Sequence, residues 1–378
     1  MKKIVIASDS FKGSLSSAQV AACGERAVRQ LFPGCEVVGL PVADGGEGTV
    51  ESLTAALGGQ SVSAVVHDPL DRPITASYGW IPATQTALIE MAAASGLPLL
   101  TPEERNPEQT STYGTGELIK DALQKGCRHF LIAIGGSATN DGGMGMLQAL
   151  GYRFLDATGK ELRGCGRSLR LIERIDGSKA LPALKACRFV AACDVNNPFY
   201  GPQGAAYIFA PQKGATPAMV EALDEGLRHF ARLIQQAEGV AVDRLPGAGA
   251  AGGLGGGLVA FLKATLKPGI EMVLDAVRFD KHIEGADLII TGEGKLDAQT
   301  CMGKTPIGIL RRAQKQAIPV VAIGGCVEDS ARLIQAGFLA ALPILPCPVS
   351  LAQAMDPAFA QANIERTIQQ IVRLYRPA

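Results

Sequence analysis

The chain has 378 residues, with 45 glycines, 5% aromatic side chains and a balance of 36 basic against 36 acidic residues. That length exceeds one ordinary hydrophobic core and predicts two domains. The balanced charge, without a basic stripe, excludes a nucleic-acid footprint and electrostatic attachment to anionic membranes.

In chain order, Lys3-Ile4-Val5-Ile6-Ala7 reads as a buried strand. Ser16-Ser17-Ala18-Gln19 has capping-box spacing and opens an amphipathic helix to about Leu31. Pro33-Gly34 stops it, Glu36 to Pro41 forms a second strand, and a helix follows through Val50, Leu53 and Leu57. Short antiparallel strands are expected at Ser63–Val66, Ile74–Ile81 and Ala87–Ile89, between Asp-Pro and Ile-Pro turns. Further strands fall near Phe130–Ile134 and Phe189–Ala192, separated by glycine-rich loops.

From about Gly269 a simple alternation returns. It comprises a helix (Met272–Arg278), strand (Asp287–Thr291), helix (Pro306–Gln316), strand (Pro319–Ile323), helix (Asp329–Ala336), strand (Ala340–Leu345) and closing helix (Ala358–Tyr375). The economical architecture is α/β. A parallel-sheet domain built from both chain ends (1–62 with 266–378) carries an inserted mixed α/β domain (63–265), with the active site expected in an interdomain cleft. No apolar run approaches the roughly 20 residues of a membrane helix. The run after Met1-Lys2-Lys3 is too short for a signal-peptide core, and nine cysteines without a C-x-x-C or Cys/His cluster suit a reduced cytoplasmic protein.

The chemistry-bearing phrases follow strand ends, where ligands bind in open α/β sheets. Ser8-Asp9-Ser10-Phe11-Lys12-Gly13-Ser14 packs a carboxylate, an ammonium and three hydroxyls into one βα loop, a mixture suited to an oxygen-rich anion with a divalent cation nearby. With a flavodoxin-like strand order 2-1-3-4-5, this loop faces the one after the third strand, Gly292-Glu293-Gly294-Lys295-Leu296-Asp297, continuing to Gly303-Lys304-Thr305-Pro306. Gly303-Lys304-Thr305 is not a P-loop, because Ala298 stands where the first glycine is required. Thr305-Pro306 instead reads as a helix N-cap followed by proline, an end able to bind an anion with Lys304 beside it.

Gly135-Gly136-Ser137-Ala138-Thr139-Asn140-Asp141 ends another strand and reads as a phosphate cradle or as a turn capped by Asp141. The stretch from Pro246 to Gly257, including Gly252, Gly253 and Gly255, is either a second phosphate loop or a glycine-packed helix entry. Cys193-Asp194-Val195-Asn196-Asn197-Pro198 offers Asp194 as metal ligand or base, beside a plain Asn-Pro turn reading. Asp44 and Glu47 either bind metal or substrate or favour the following helix N-terminus. The four histidines sit in unrelated contexts and read as structural.

Together these phrases resemble the type-1 bacterial glycerate kinase family. The matching text is IVIASDSFKGSLSSAQ (4–19), PVADGGEGTV (41–50), TYGTGEL (112–118), IGGSATNDGG (134–143), CDVNNPFYG (193–201), PGAGAAGGLGGGL (246–258) and DLIITGEGKLDAQTCMGKT (287–305), in family order over essentially the whole chain. Ser8 replaces the family's usual proline, and Lys295-Leu296 its usual Arg-Ile or similar pair; neither departure removes a polar functional group.

The resemblance implies phosphorylation of D-glycerate by ATP with Mg²⁺, giving 2-phospho-D-glycerate. It also implies a flavodoxin-like domain with an inserted α/β domain. The 3-phospho product remains an alternative, as does a non-catalytic small-carboxylate-binding protein; a homodimer is an open expectation. On this reading Lys12, Asp9 and Asp194 are catalytic. Ser10, Ser14, Asn196, Glu293, Asp297 and Lys304 contact substrate, and Asp194 and Asp297 hold metal. Gly135, Gly136, Ser137, Thr139, Asn140, Gly252, Gly253 and Gly255 hold the ATP phosphates. A hydroxy-acid dehydrogenase is disfavoured, since no G-x-G-x-x-G follows the first strand.

Overall fold

A computed structural model describes residues 1–46 and 48–375. The chain divides into two compact units, Met1–Leu57 with Ile270–Ala378, and Gly58–Gly269. The first opens with β1 (Lys3–Ser8), the helix Ser17–Leu31 and β2 (Glu36–Pro41). β1 is buried almost throughout, as a central parallel strand covered on both faces must be. Ser16 and Gln19 form the expected reciprocal capping box. Val20, Ala27 and Val28 turn one helix face inward, and Gly24 sits where a Cβ would meet Ile6 at 2.9 Å.

The second unit contributes β3 (Gln60–His67), β4 (Pro73–Ile81), β5 (Thr86–Glu90), β6 (His129–Ala133), β7 (Arg153–Leu155), β8 (Arg174–Asp176), β9 (Arg188–Ala192) and β10 (Thr265–Lys267). Six of them form a mixed sheet ordered β10-β9-β6-β5-β4-β3; β3, β4 and β5 pair antiparallel, and the remaining pairs are parallel. β7 and β8 make a separate ribbon. The core is aromatic at its centre. Phe130 stacks on Phe189 at 4.7 Å, and Phe230 meets Phe154, Phe199 and Phe261.

The chain then returns to the first unit with β11 (Leu288–Leu296), β12 (Val320–Val327) and β13 (Ala340–Pro343). The sheet order β13-β12-β11-β1-β2 is the flavodoxin-like 2-1-3-4-5 order expected from the sequence, and every pair in it is parallel. One expectation needs correction. Gly292-Glu293-Gly294-Lys295-Leu296 is not a loop but the outer half of β11, paired through Glu293 to Gly324 and Lys295 to Cys326. The repeated glycine pair Gly324-Gly325 lets β12 extend beside it: a Cβ at Gly325 would lie 2.7 Å from the Gly294 carbonyl. No helix among the described residues is long and apolar enough to cross a membrane.

Candidate active site

The loop after β1 is built as a tight display turn. Phe11 and Leu15, 5% and 3% exposed, anchor it in the core and exchange backbone hydrogen bonds, Phe11 N to Leu15 O at 2.9 Å and Leu15 N to Phe11 O at 3.0 Å. Gly13 turns the corner at φ +78°, where any side chain would be strained and a Cβ would lie 2.5 Å from Met355 Cε. Lys12 is thereby held outward and exposed. The loop is tied to β11 by the Asp9 amide and the Ser8 hydroxyl, both donating to the Gly292 carbonyl at 2.9 Å.

Asp9 is the buried carboxylate of this turn, 5% exposed. It accepts from Ser10 N at 2.6 Å and from the Thr305 hydroxyl at 2.8 Å. Burial pushes its carboxyl above the ordinary range, Asp44 adds repulsion, and Thr305 and Lys12 oppose the shift. Thr305 is therefore not the expected N-cap. Lys304 occupies that position and Thr305, inside the first turn, spends its hydroxyl on Asp9.

Glu293, on the extended β11, is 8% exposed and accepts from the Thr300 hydroxyl at 2.6 Å. Its carboxyl too is raised by burial, with Thr300 and Lys304 lowering it and Asp9 and Asp297 adding repulsion. Lys304 Nζ lies 3.7 Å from Glu293 and 3.8 Å from Asp297. Because Glu293 binds a proton more tightly folded than unfolded, stability falls as pH rises from its unfolded value near 4.5 through the raised folded value, and the penalty is complete above both. Glu293→Gln keeps an acceptor for Thr300. It should raise the melting temperature at pH 7, with the gain shrinking toward pH 4.5, while lowering kcat/KM; parallel melts at the two pH values check this.

Asp9, Ser10, Lys12, Ser14, Glu293 and Lys304 line one cavity of about 420 Å³ within the first unit, joined by Asp44 after β2. Ser14 Oγ is buried without a hydrogen-bond partner. The facing wall is apolar, formed by Phe11, Ile344, Leu345, Leu351 and Met355. Asp297 does not line it; it caps the short helix Ala298–Met302 by accepting from Gln299 N at 2.9 Å. Glu47 lies outside the described residues.

The second unit holds the other expected residues. Gly135 and Gly136 are exposed at the end of β6, whereas Ser137, Thr139 and Asn140 are buried beneath them. Asp141 is fully buried and accepts from Thr112 N and Oγ1, Gly143 N and Gly145 N, so it bolts the loop to the helices Tyr113–Gln124 and Met144–Ala149. Gly252, Gly253 and Gly255 belong to the stretch expected either to cradle phosphate or to pack a helix entry. All three are buried. The Gly253 and Gly255 amides donate to Gly249 and Ala250 carbonyls, and a Cβ at Gly252 would lie 2.0 Å from Thr139 O. This stretch is a packed helix entry that backs the Thr139–Gly142 loop.

Asp194 and Asn196 are exposed beyond β9. Asp194 Oδ1 accepts from Gly269 N at 2.9 Å, at the start of the helix Gly269–Ala276. Among the described residues no group of three or more His, Cys, Asp or Glu side chains is placed to hold a metal. Sequence reasoning missed Lys213, buried beneath Ser137, because a lysine in a Pro-Gln-Lys-Gly turn looks like any surface cation.

The glycerate kinase family model matches residues 4–376. The chain belongs to the glycerate kinase family. It is 47% identical to a glycerate kinase of Bacillus cereus over 100% of this chain and 98% of that one. It is also 47% identical to a glycerate 2-kinase of Escherichia coli K12, covering 97% and 98% of the two chains. A crystal structure assigned as glycerate kinase 2 from Salmonella typhimurium LT2 superimposes with a TM-score of 0.90 at 44% identity, covering 98% of this chain and 97% of that one. Like other members of the glycerate kinase family, the chain is an enzyme of the kinase class.

Proposed function

We propose that the protein transfers the terminal phosphoryl group of ATP to the 2-hydroxyl of D-glycerate, with Mg²⁺. The observation that carries the reading is the cavity at the ends of β1 and β11, where Lys12 and Lys304 stand beside buried Asp9 and Glu293. Phosphoryl transfer needs positioning and charge stabilisation more than covalent chemistry. Lys12, exposed on its turn, pairs with the glycerate carboxylate or the migrating phosphoryl oxygens. Asp9 orients the reacting hydroxyl and takes its proton, a task for which a raised carboxyl is suited. Ser10 and Ser14 hydrogen-bond the remaining oxygens of glycerate, and the Gly135–Asn140 loop of the second unit receives the nucleotide phosphates.

Mg²⁺ is bound through one or two carboxylates, waters and substrate phosphates, so the lack of a three-ligand cluster among the described residues is compatible with it. Asp44, facing the cavity, fits such a role better than Asp297, which is engaged by Lys304 and by its own cap. When bound, the ion neutralises charge on the β- and γ-phosphates. Nine free cysteines support a reducing, cytoplasmic setting. The test is ADP release on mixing with ATP and D-glycerate. Release should require D-glycerate and stop when EDTA removes the divalent ion; EDTA-insensitive release would remove Mg²⁺ from the account.

A further inference from the structure

Lys213 belongs to none of the motifs above, yet its side chain is 1% exposed. It closes the short turn Pro211–Lys213, and Nζ donates to Ser137 Oγ at 2.7 Å and to the Thr139 carbonyl at 2.6 Å. Burying an ammonium costs several kcal/mol unless hydrogen bonds and a countercharge offset it. The charge acting on Lys213 is that of Asp141, whose own oxygens are already taken by Thr112, Gly143 and Gly145. Burial pushes the ammonium down to about 7.

A hydroxyl that accepts from lysine keeps its own proton to donate. Ser137 has no acceptor for that proton among the described residues. Beside it, the Asn140 side chain is 0% exposed with neither Oδ1 nor Nδ2 hydrogen-bonded, and Thr139 Oγ1 is equally unpartnered. Buried polar groups left without partners cost free energy that a bound ligand or water recovers. Ser137, Thr139 and Asn140 thus place three incompletely bonded polar side chains within four residues, beyond the carboxyl end of a parallel strand and beside the Lys213 ammonium.

We propose that Lys213 is a positioning residue of the nucleotide-phosphate site: it fixes the Gly135–Asn140 loop and, through Ser137 Oγ, turns the serine proton toward a phosphate oxygen. This rests on the reading of that loop as the phosphate cradle. In steady-state assays of the full chain, Lys213→Met and Lys213→Gln should each raise KM for ATP about tenfold or more, as loss of a charge-assisted hydrogen bond does. KM for D-glycerate should stay within about twofold, and melting curves report the folding of each variant. Ser137→Ala should raise KM for ATP similarly, and the Lys213→Met/Ser137→Ala double variant should be no worse than either single one, since both act through one hydrogen bond.

Independent, additive effects, or folded Lys213 variants with unchanged KM for ATP, overturn the role of Lys213 while leaving the cradle standing. An unchanged KM for ATP in Ser137→Ala overturns the cradle itself, and the role of Lys213 with it. Wild-type protein supplies a second readout: in ¹³C-lysine NMR, ADP bound at this loop should raise the Lys213 titration midpoint, and an unshifted midpoint contradicts the proposal.

Discussion

Asp9→Asn is expected to lower kcat by about 10²–10⁴-fold, the range that general-base catalysis supplies, while the protein stays folded. The amide keeps an acceptor and fits the same turn, so one of the bonds from Ser10 N and Thr305 Oγ1 is retained. Losing the charge also removes the burial penalty that raises the wild-type carboxyl. The melting temperature at pH 7 should therefore hold or rise as activity collapses. The wild-type acid limb carries a second signature. Asp9 must be ionised to take the proton, so kcat should fall with decreasing pH at values above the ordinary carboxylate range, and this limb should vanish in the residual activity of Asp9→Asn. A variant with near-wild-type kcat would remove Asp9 from the chemistry.

Lys12→Ala should reduce kcat/KM by about 10²–10³-fold, comparable with removal of one donor to a developing oxyanion, with no loss of stability. The side chain is exposed on the Phe11–Leu15 turn and forms no salt bridge among the described residues, so nothing in the fold depends on it. Lys12→Arg should recover part of the loss, because the charge returns while the guanidinium fork does not match a single-point contact. The division of the effect assigns the partner. A rise in KM for D-glycerate alone identifies the substrate carboxylate, whereas an equal fall in kcat and kcat/KM identifies an interaction made in the transition state. A folded Lys12→Ala with unchanged kcat/KM contradicts the site.

The fold was legible where a single local rule dominates. The buried Ile4–Ala7 strand, the Ser16–Gln19 capping box and the alternating elements after Gly269 all form as their patterns require. The flavodoxin-like order in turn brings the β1 turn and the Lys304–Thr305 helix start together, and the Asp9–Thr305 bond joins them. Polar content alone was a poorer guide. Gly-Glu-Gly-Lys-Leu has a loop composition, yet it continues β11 because β12 offers a matching extended edge.

Glycine density was ambiguous for a similar reason. At Gly252 to Gly255 the missing side chains admit the neighbouring backbone, a tertiary contact that no local pattern encodes. The role of Lys213 depends on a burial that only the folded second unit creates. The split of Asp297 and Glu293 into cap and cavity carboxylates likewise depends on β11 running through Leu296.

The most direct measurement is ATP- and Mg²⁺-dependent turnover of D-glycerate coupled to enolase, with phosphoglycerate mutase left out. Formation of phosphoenolpyruvate in that mixture is the expected result, because only 2-phosphoglycerate feeds enolase directly. A signal that depends on added mutase would contradict transfer to the 2-hydroxyl, and a mixture in which D-glycerate promotes no ATP consumption would contradict the account as a whole.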